Sequence, residues 1–453
     1  MKFLRLAFVG IAILTLSGCS LQPPPPTPTD NTAPLASDSS PVNSTTGNNK
    51  KIVLKWSGAF LTSADIKPLI NAYTSANPNV EIDYTQEVIA QKDISNYRSK
   101  LNDIIVTGNT STPPDIFMID KGWSGIFAPY LQPAPSNIIG PNDLKNNFYD
   151  FVSSDFVINN NVYGVPLWVD TLAMIYNKKL WQTANLTEPN SDWHKFVTTQ
   201  AVPLTLSTNG KITQSGFGGG LTKNNEFWFD SLNMFLMQNG VNLVDANNQA
   251  VFAENPKSAD AISFYQQFST GTNKTWDNTF NQDVAAFLEG KLATYLAPSW
   301  RLNDIVKYNN LANLGLNIGI SEVPQLQSSN SIAKADFADY WGNVVNKKSA
   351  NSDAAWKFLA FITQPAQLQL LNQTAVADKT TGIGLLYPRK DMTTQQTGDA
   401  NLGVYAKSLN YAKSWQMVDS IEIKTSFATI LDSNSDLKTV ETSVNATLAK
   451  LHP

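Results

Sequence analysis

The stretch from Lys51 to Asp120 constrains the fold of this chain more than any other. "KIVLKW" opens it with a short apolar strand, Ile52 to Trp56, followed by the turn formers Ser57 and Gly58. A helical pattern runs through "DIKPLINAYTSANP", and "NVEIDYTQEV" then alternates with the period of a second strand. "YRSKLNDIIVTGN" spells a helix with Leu101, Ile104 and Ile105 on one face, and "PPDIFMID" a third strand that ends at Asp120. Strand, helix, strand, helix, strand requires right-handed crossovers, so the expected class is α/β with a parallel sheet covered by helices. In such sheets the ground beyond the carboxyl ends of the strands is where small molecules sit. That rule singles out Trp56 with Ser57, Asp120 with Lys121 and Trp123 and, after the apolar run "YGVPLW", Trp168 with Asp170.

At 453 residues the chain exceeds one compact core, and two domains or more are expected. Its 11 Trp, 14 Tyr and 22 Phe fill large cores and leave rings over for binding surfaces. The formal charge of −4 comes without a Lys/Arg cluster able to neutralise phosphates, so no nucleic-acid partner is expected. Two histidines far apart, one cysteine and the absence of G-x-S-x-G, G-K-[ST] or metal-ligand spacing leave no catalytic, cofactor or metal motif. "GFGGGLT", residues 216–222, misses the dinucleotide pattern because Leu221 stands at the last glycine position, and it reads as a loop.

The first 19 residues, "MKFLRLAFVGIAILTLSGC", carry Lys2 and Arg5, an apolar run from Leu6 to Leu16, and small residues before Cys19. This is the layout of an export signal, and the run is too short for a stable membrane span. "LSGC" resembles a bacterial lipobox, whose cleavage leaves the cysteine N-terminal and lipid-bearing, so Cys19 is the expected lipidation site. An ordinary signal peptide with an incidental Cys19 is the alternative. Removing Lys2 and Arg5 would take the formal charge from −4 to −6, and a lone cysteine leaves no intramolecular disulfide. Residues 20–50 hold no aromatic and are dominated by Pro, Ser, Thr and Asn, which predicts a disordered tether. Together these segments describe a body held by its N-terminus at the extracytoplasmic face of the cell membrane.

Further along, "EFWFDSLNMFLMQNGVNLVD", "NPKSADAISFYQQFS" and "DVAAFLEGKLATYLAPSWRLNDIV" read as mostly helical. "GLNIGISEVPQ" reads as a buried strand stopped by Pro324, and "DYWGNVV" as a short strand before a helix. The ordered phrases "ANPNVEIDY", "PPDIFMID", "YGVPLWVDTLAMIYNKKLW", "GVNLVD", "FLEGKLATYLAPSW", "AAWKFLAFI" and "YPR" resemble the extracellular solute-binding proteins of ABC importers, the family that includes maltose-binding protein. The resemblance covers nearly all of residues 51–450. It implies a two-lobed periplasmic-binding-protein-like fold of type II, with a ligand cleft between lobes joined by hinge strands. The first lobe would take residues 51–167 and 323–385, the second 168–322 and 386–453. The crossings would fall near Leu167–Asp170, Ser321–Pro324 and Leu385–Arg389. The implied partners are a small ligand, foremost a sugar or oligosaccharide, and the membrane subunits of a permease, served by a monomer without enzymatic activity.

Aromatic rings suit sugars because a pyranose packs a face of C–H bonds on an aromatic plane, while its hydroxyls need carboxylates, amides or guanidinium groups. Trp300 lies where the family places an aromatic platform, with Arg301 beside it. Tyr340 and Trp341 precede Gly342, where backbone can approach a ligand, and Asp336 and Asp339 are neighbouring loop acids. With Trp56, Ser57, Asp120, Trp123, Trp168 and Asp170, the four residues Trp300, Arg301, Tyr340 and Trp341 make up the candidate set. Core packing is the alternative for each ring, a helix cap for Asp120, and relief of a bend for Trp168 and Asp170. An extracellular glycoside hydrolase also uses paired carboxylates beside aromatic platforms. A polyamine-binding or sensing lipoprotein of the same fold stays open too, since Asp120, Asp170 and aromatic faces suit an ammonium chain.

Overall fold

A computed structural model describes residues 51–89, 93–109, 112–326, 333–377 and 382–451. The signal segment, Cys19 and the tether lie outside the described residues. Eight strands build two sheets: β1 Ile52–Ala59, β2 Val80–Glu87, β3 Ile116–Asp120, β4 Gly164–Val165, β5 Leu172–Asn177, β6 Thr294–Pro298, β7 Ile318–Ser321 and β8 Trp341–Val345. The first sheet has the order β2-β1-β3-β8-β4, with β1 parallel to β2 and β3. Strand β8 runs antiparallel between β3 and β4. The second sheet is β6-β5-β7, antiparallel throughout.

The patterns explain these placements. Strand β5, "LAMIYN", and β8, "WGNVV", are buried at every position, as strands covered on both faces must be. Helix α1, Ser63–Ala76, starts at a capping box in which Thr62 accepts from the Asp65 N–H and Asp65 accepts from the Thr62 N–H; it buries Ile66, Leu69 and Tyr73. Helix α2, Ile94–Leu101, widens into a π-turn over Asn102–Val106. That extra residue in the turn keeps Leu101 and Ile105 buried and rotates Ile104 partly outward, against the single face expected. Helix α3, Trp228–Gln238, packs on the helix Pro256–Gln266 and on Asp336–Phe337, and α4, Ser299–Ala312, on the second sheet; α5, Ser352–Ile362, and α6, Pro365–Ala377, pack on α1. Helices α7, Ser420–Ser433, and α8, Leu437–Leu448, pack on each other, with Phe427 against Phe229 and Phe252. Among the described residues no helix is long and apolar enough to cross a membrane.

Several expectations are corrected. Strand β6 lies inside a stretch expected to be helical: Gly290, at φ +69°, ends the helix Asp283–Leu288, and "TYLAP" pairs with β5. Strand β1 continues three residues past Trp56. Gly58 sits inside it because the Tyr84 ring of β2 crosses that position, where a Cβ would lie 2.4 Å from the ring. Residues 323–326 and 333–337, expected with the first lobe, stay beside α3: the Gln238 amide donates to the carbonyls of Pro324 and Ala335, and Asp336–Phe337 pairs with Ala412–Lys413. Residues 388–393, expected with the second lobe, pack toward the first sheet's helices, with the Tyr149 N–H on the Pro388 carbonyl and the Tyr149 hydroxyl 2.6 Å from that of Thr393.

The segments that link the sheets run side by side. Val169 bridges Leu386 and Thr171 bridges Ala338, and the Asp339 N–H donates to the Asp170 carbonyl at 3.2 Å.

Candidate functional site

A cleft of about 540 Å³ opens where these linking segments separate the sheets. Its walls come from the ends of β1, β3 and β6, the start of β8, and the linker from Trp168 to Leu172. Seven of the candidates line it: Asp120, Trp168, Asp170, Trp300, Arg301, Tyr340 and Trp341.

The aromatic residues face the cleft from both sides. Trp341 packs edge-on against Phe60 at 5.0 Å and against Trp123 at 5.2 Å. Opposite, Trp300 is 38% exposed, rests edge-on against Phe227 at 5.5 Å and carries the Arg301 guanidinium over its ring at 4.5 Å. Trp168, partly exposed, lies on the linker between them. Indole rings lining one cavity, with that of Trp300 the most exposed, suit the C–H faces of a sugar.

The polar candidates do different work. Asp170 is buried and accepts from the Thr171 N–H (2.9 Å), the Ser299 N–H (2.9 Å), the Ser299 hydroxyl (2.7 Å) and the Trp300 N–H (3.3 Å). Burial lifts its pKa to about 6, and the bonds from Ser299 hold it from rising further. It therefore ties the linker to the first turn of α4, which bears Trp300. Arg301 pairs with Glu226 and, at 2.8 Å, with Asp304. The Tyr340 hydroxyl donates to Asp155 at 2.7 Å; Asp155 accepts from Ser414 at 2.9 Å, and Ser414 accepts from Lys121 at 2.7 Å.

Asp120 gives one carboxylate oxygen to the Gly122 N–H (2.8 Å) and the Ser420 hydroxyl (2.9 Å). Burial and the nearby Asp339 push its pKa to about 7. Asp230 is pushed to about 8 by burial and the same Asp339, and Asp339 is itself raised by burial. All three are enclosed by protein yet keep part of their surface open to the cleft.

Three candidates are not brought to the cleft. Trp56 points into the core of the first lobe, its indole N–H on Asn343 at 3.0 Å and its ring edge-on to Tyr84 and Phe358. Its apparent strand-end position vanishes because β1 runs on to Ala59, and Phe60 takes that place. Ser57 donates across the sheet to Glu87 at 3.1 Å. Trp123 is fully buried behind Trp341. Among residues not in the candidate set, Phe60, Phe227, Asp230 and Asp339 line the cleft. Asp230 had a legible signal: every other residue of α3 is buried, so a lone acid near the start of an otherwise apolar helix needs a reason. Among the described residues, no group of three or more His, Cys, Asp or Glu is placed to hold a metal ion.

Two α/β lobes joined by linking segments around an aromatic cleft define a two-domain solute-binding fold. The chain belongs to the bacterial extracellular solute-binding proteins, whose family model matches residues 69–410. A maltooligosaccharide ABC transporter solute-binding lipoprotein of Streptococcus pneumoniae is 25% identical over 228 residues, 47% of this chain and 48% of that protein. A maltotriose-binding protein of Pyrococcus abyssi is 24% identical over 327 residues, 67% of this chain and 60% of its own length. The alignments thus span roughly half of these curated relatives. In structure, a cyclic α-maltosyl-1,6-maltose binding protein from Arthrobacter globiformis matches with a TM-score of 0.68 at 18% identity, covering 88% of this chain and 99% of that one. A solute-binding protein from Thermotoga lettingae bound with α-D-tagatose gives 0.66 at 17%, covering 88% and 100%. At these identities the structural likeness establishes the fold.

Proposed function

We infer that this protein captures a sugar or oligosaccharide outside the cytoplasm and delivers it to the membrane subunits of an ABC importer. The observation that carries this reading is the pair of aromatic walls, Trp341 with Phe60 and Trp300 with Phe227, facing one cleft between two sheets. The relatives named for maltotriose and maltooligosaccharides support a saccharide ligand. In this reading Cys19 carries the lipid that holds the chain at the membrane, residues 20–50 are the tether, and the protein acts as a monomer that binds without turnover. Closure of the lobes is driven by contacts that exist only when both walls touch the same ligand.

The test is a thermal-shift and calorimetric titration of the full chain with mono- and oligosaccharides, alongside peptides and polyamines. A saccharide present at 100 times its Kd stabilises the folded protein by about 2.7 kcal/mol and raises the melting temperature, with no product released on prolonged incubation. A folded protein that responds to no saccharide sinks the reading, and glycoside cleavage under single-turnover conditions replaces it with a hydrolase.

A further inference from the structure

The charges that line the cleft do not balance. Asp120, Asp170, Asp230, Asp304 and Asp339 face Arg301 alone. Arg301 is already committed to Glu226 and Asp304, and Asp170 to the first turn of α4. What is left is Asp120, Asp230 and Asp339. Asp230, on α3, has no hydrogen-bond or ion-pair partner among the described residues, and Asp339 takes only the N–H of its neighbour Tyr340. Asp120 keeps one carboxylate oxygen free. The nearest cations are turned to other tasks: Lys121 donates to Ser414 and lies 4.5 Å over the Phe337 ring, and Lys424 sits 5.7 Å over Trp228; neither lines the cleft. Burial raises all three toward protonation, Asp339 adds to the rise at Asp120 and Asp230, and the charges of Lys121 and Lys424, held outside the cleft, offset it only in part.

A second feature of the same cavity points to its occupant. Trp341 is 8% exposed and lines the cleft, yet its indole N–H, a donor only, has no partner among the described residues. One wall therefore lacks an acceptor while the floor lacks a cation, and both lie among rings suited to C–H faces. A monatomic metal does not fit, since no group of acids and histidines among the described residues is arranged to hold one.

We propose that the cleft takes a saccharide bearing a protonated amine, with the ammonium group seated against Asp230 and Asp339 and hydroxyl oxygens turned to the Trp341 N–H. This rests on the saccharide reading above and narrows it. A neutral sugar hydrogen-bonds to the three acids but does nothing to hold them ionised when the lobes close and water leaves; an ammonium group both donates to them and stabilises their charged form. The aromatic faces add attraction for the same cation.

Titrating the full chain at pH 7 with three trisaccharides of equal length decides the matter: a glucosamine trimer, its fully N-acetylated form, and maltotriose. The expected result is binding of the amine trimer at least tenfold tighter than either neutral one, with the preference shrinking as salt rises. Asp230→Asn and Asp339→Asn should each reduce that preference about tenfold without lowering the melting temperature of the ligand-free protein. Equal or tighter binding of the neutral trimers, or a preference that survives both substitutions, overturns the proposal while leaving saccharide binding intact. Failure of all three to bind the folded protein removes the saccharide reading as well.

Discussion

Asp170 accepts four hydrogen bonds from three residues, and two of the donors are the backbone N–H groups of Ser299 and Trp300 that begin α4. A carboxylate at that end of a helix satisfies orphan donors and meets the positive end of the helix dipole. Asp170→Ala should lower stability by about 1–3 kcal/mol in a denaturant titration and weaken ligand binding about tenfold, because the ring of Trp300 loses its fixed place. Trp300→Ala should weaken binding at least as much while leaving stability nearly unchanged, since the ring is 38% exposed; similar affinities for Trp300→Ala and wild type would remove the platform role. Burial also makes the protein's stability depend on pH. Asp336, with no exposed surface, is raised to about 8 by burial, Asp230 to about 8 and Asp120 to about 7, against 3.8 when unfolded. The folded state therefore holds protons that the unfolded state releases, and this contribution to stability is lost as pH rises from about 4 through about 8. The melting temperature should be lower at pH 8.5 than at pH 5.5, and Asp336→Asn should flatten the difference; an unchanged profile in that variant would show that Asp336 contributes nothing to it.

At the level of elements, legibility followed the regularity of the local pattern. Strands β3 and β8 are short apolar runs bounded by turn residues or acids, and their positions are readable in the sequence. Strand β6 was not: its apolar run follows "AAFLEG" closely enough to extend a helical pattern, and only Gly290 at positive φ marks the break. Trp56 was misplaced for a different reason. A Ser-Gly pair signals a turn when read alone, but here Gly58 makes room for a ring from the neighbouring strand, which is tertiary information. The same device recurs in the second sheet, where the Tyr176 ring of β5 covers Gly319 of β7 and an added Cβ would come within 2.1 Å of it. Gly319→Ala should destabilise the protein by about 1–3 kcal/mol, read from its denaturation midpoint, as overpacking forces the ring or the strand to move. A variant as stable as wild type would mean that the edge strand shifts freely.

For the molecule as a whole, the candidate residues that reached the cleft come from segments centred near residues 120, 170, 300 and 340, brought together only by the linking strands. Ordered phrases along the chain were enough to place those four regions; Asp230, a lone acid in a helix, and Asp339, a loop acid, carry weaker signals, and only the assembled walls bring both to the cleft. If ligand closes these walls on each other, small-angle scattering of the full chain should give a smaller radius of gyration with saccharide than without; identical profiles at saturation would rule out closure. The antiparallel seating of β8 beside β3 also sets a timetable. The 220 residues between Asp120 and Trp341 must be synthesised before the second partner of β3 exists. At ribosomal rates that leaves one edge of the first sheet bare for roughly 10 to 45 seconds. Until residue 345 has emerged the nascent chain cannot complete this lobe, and it stays a substrate for chaperones and for any machinery that needs unfolded polypeptide.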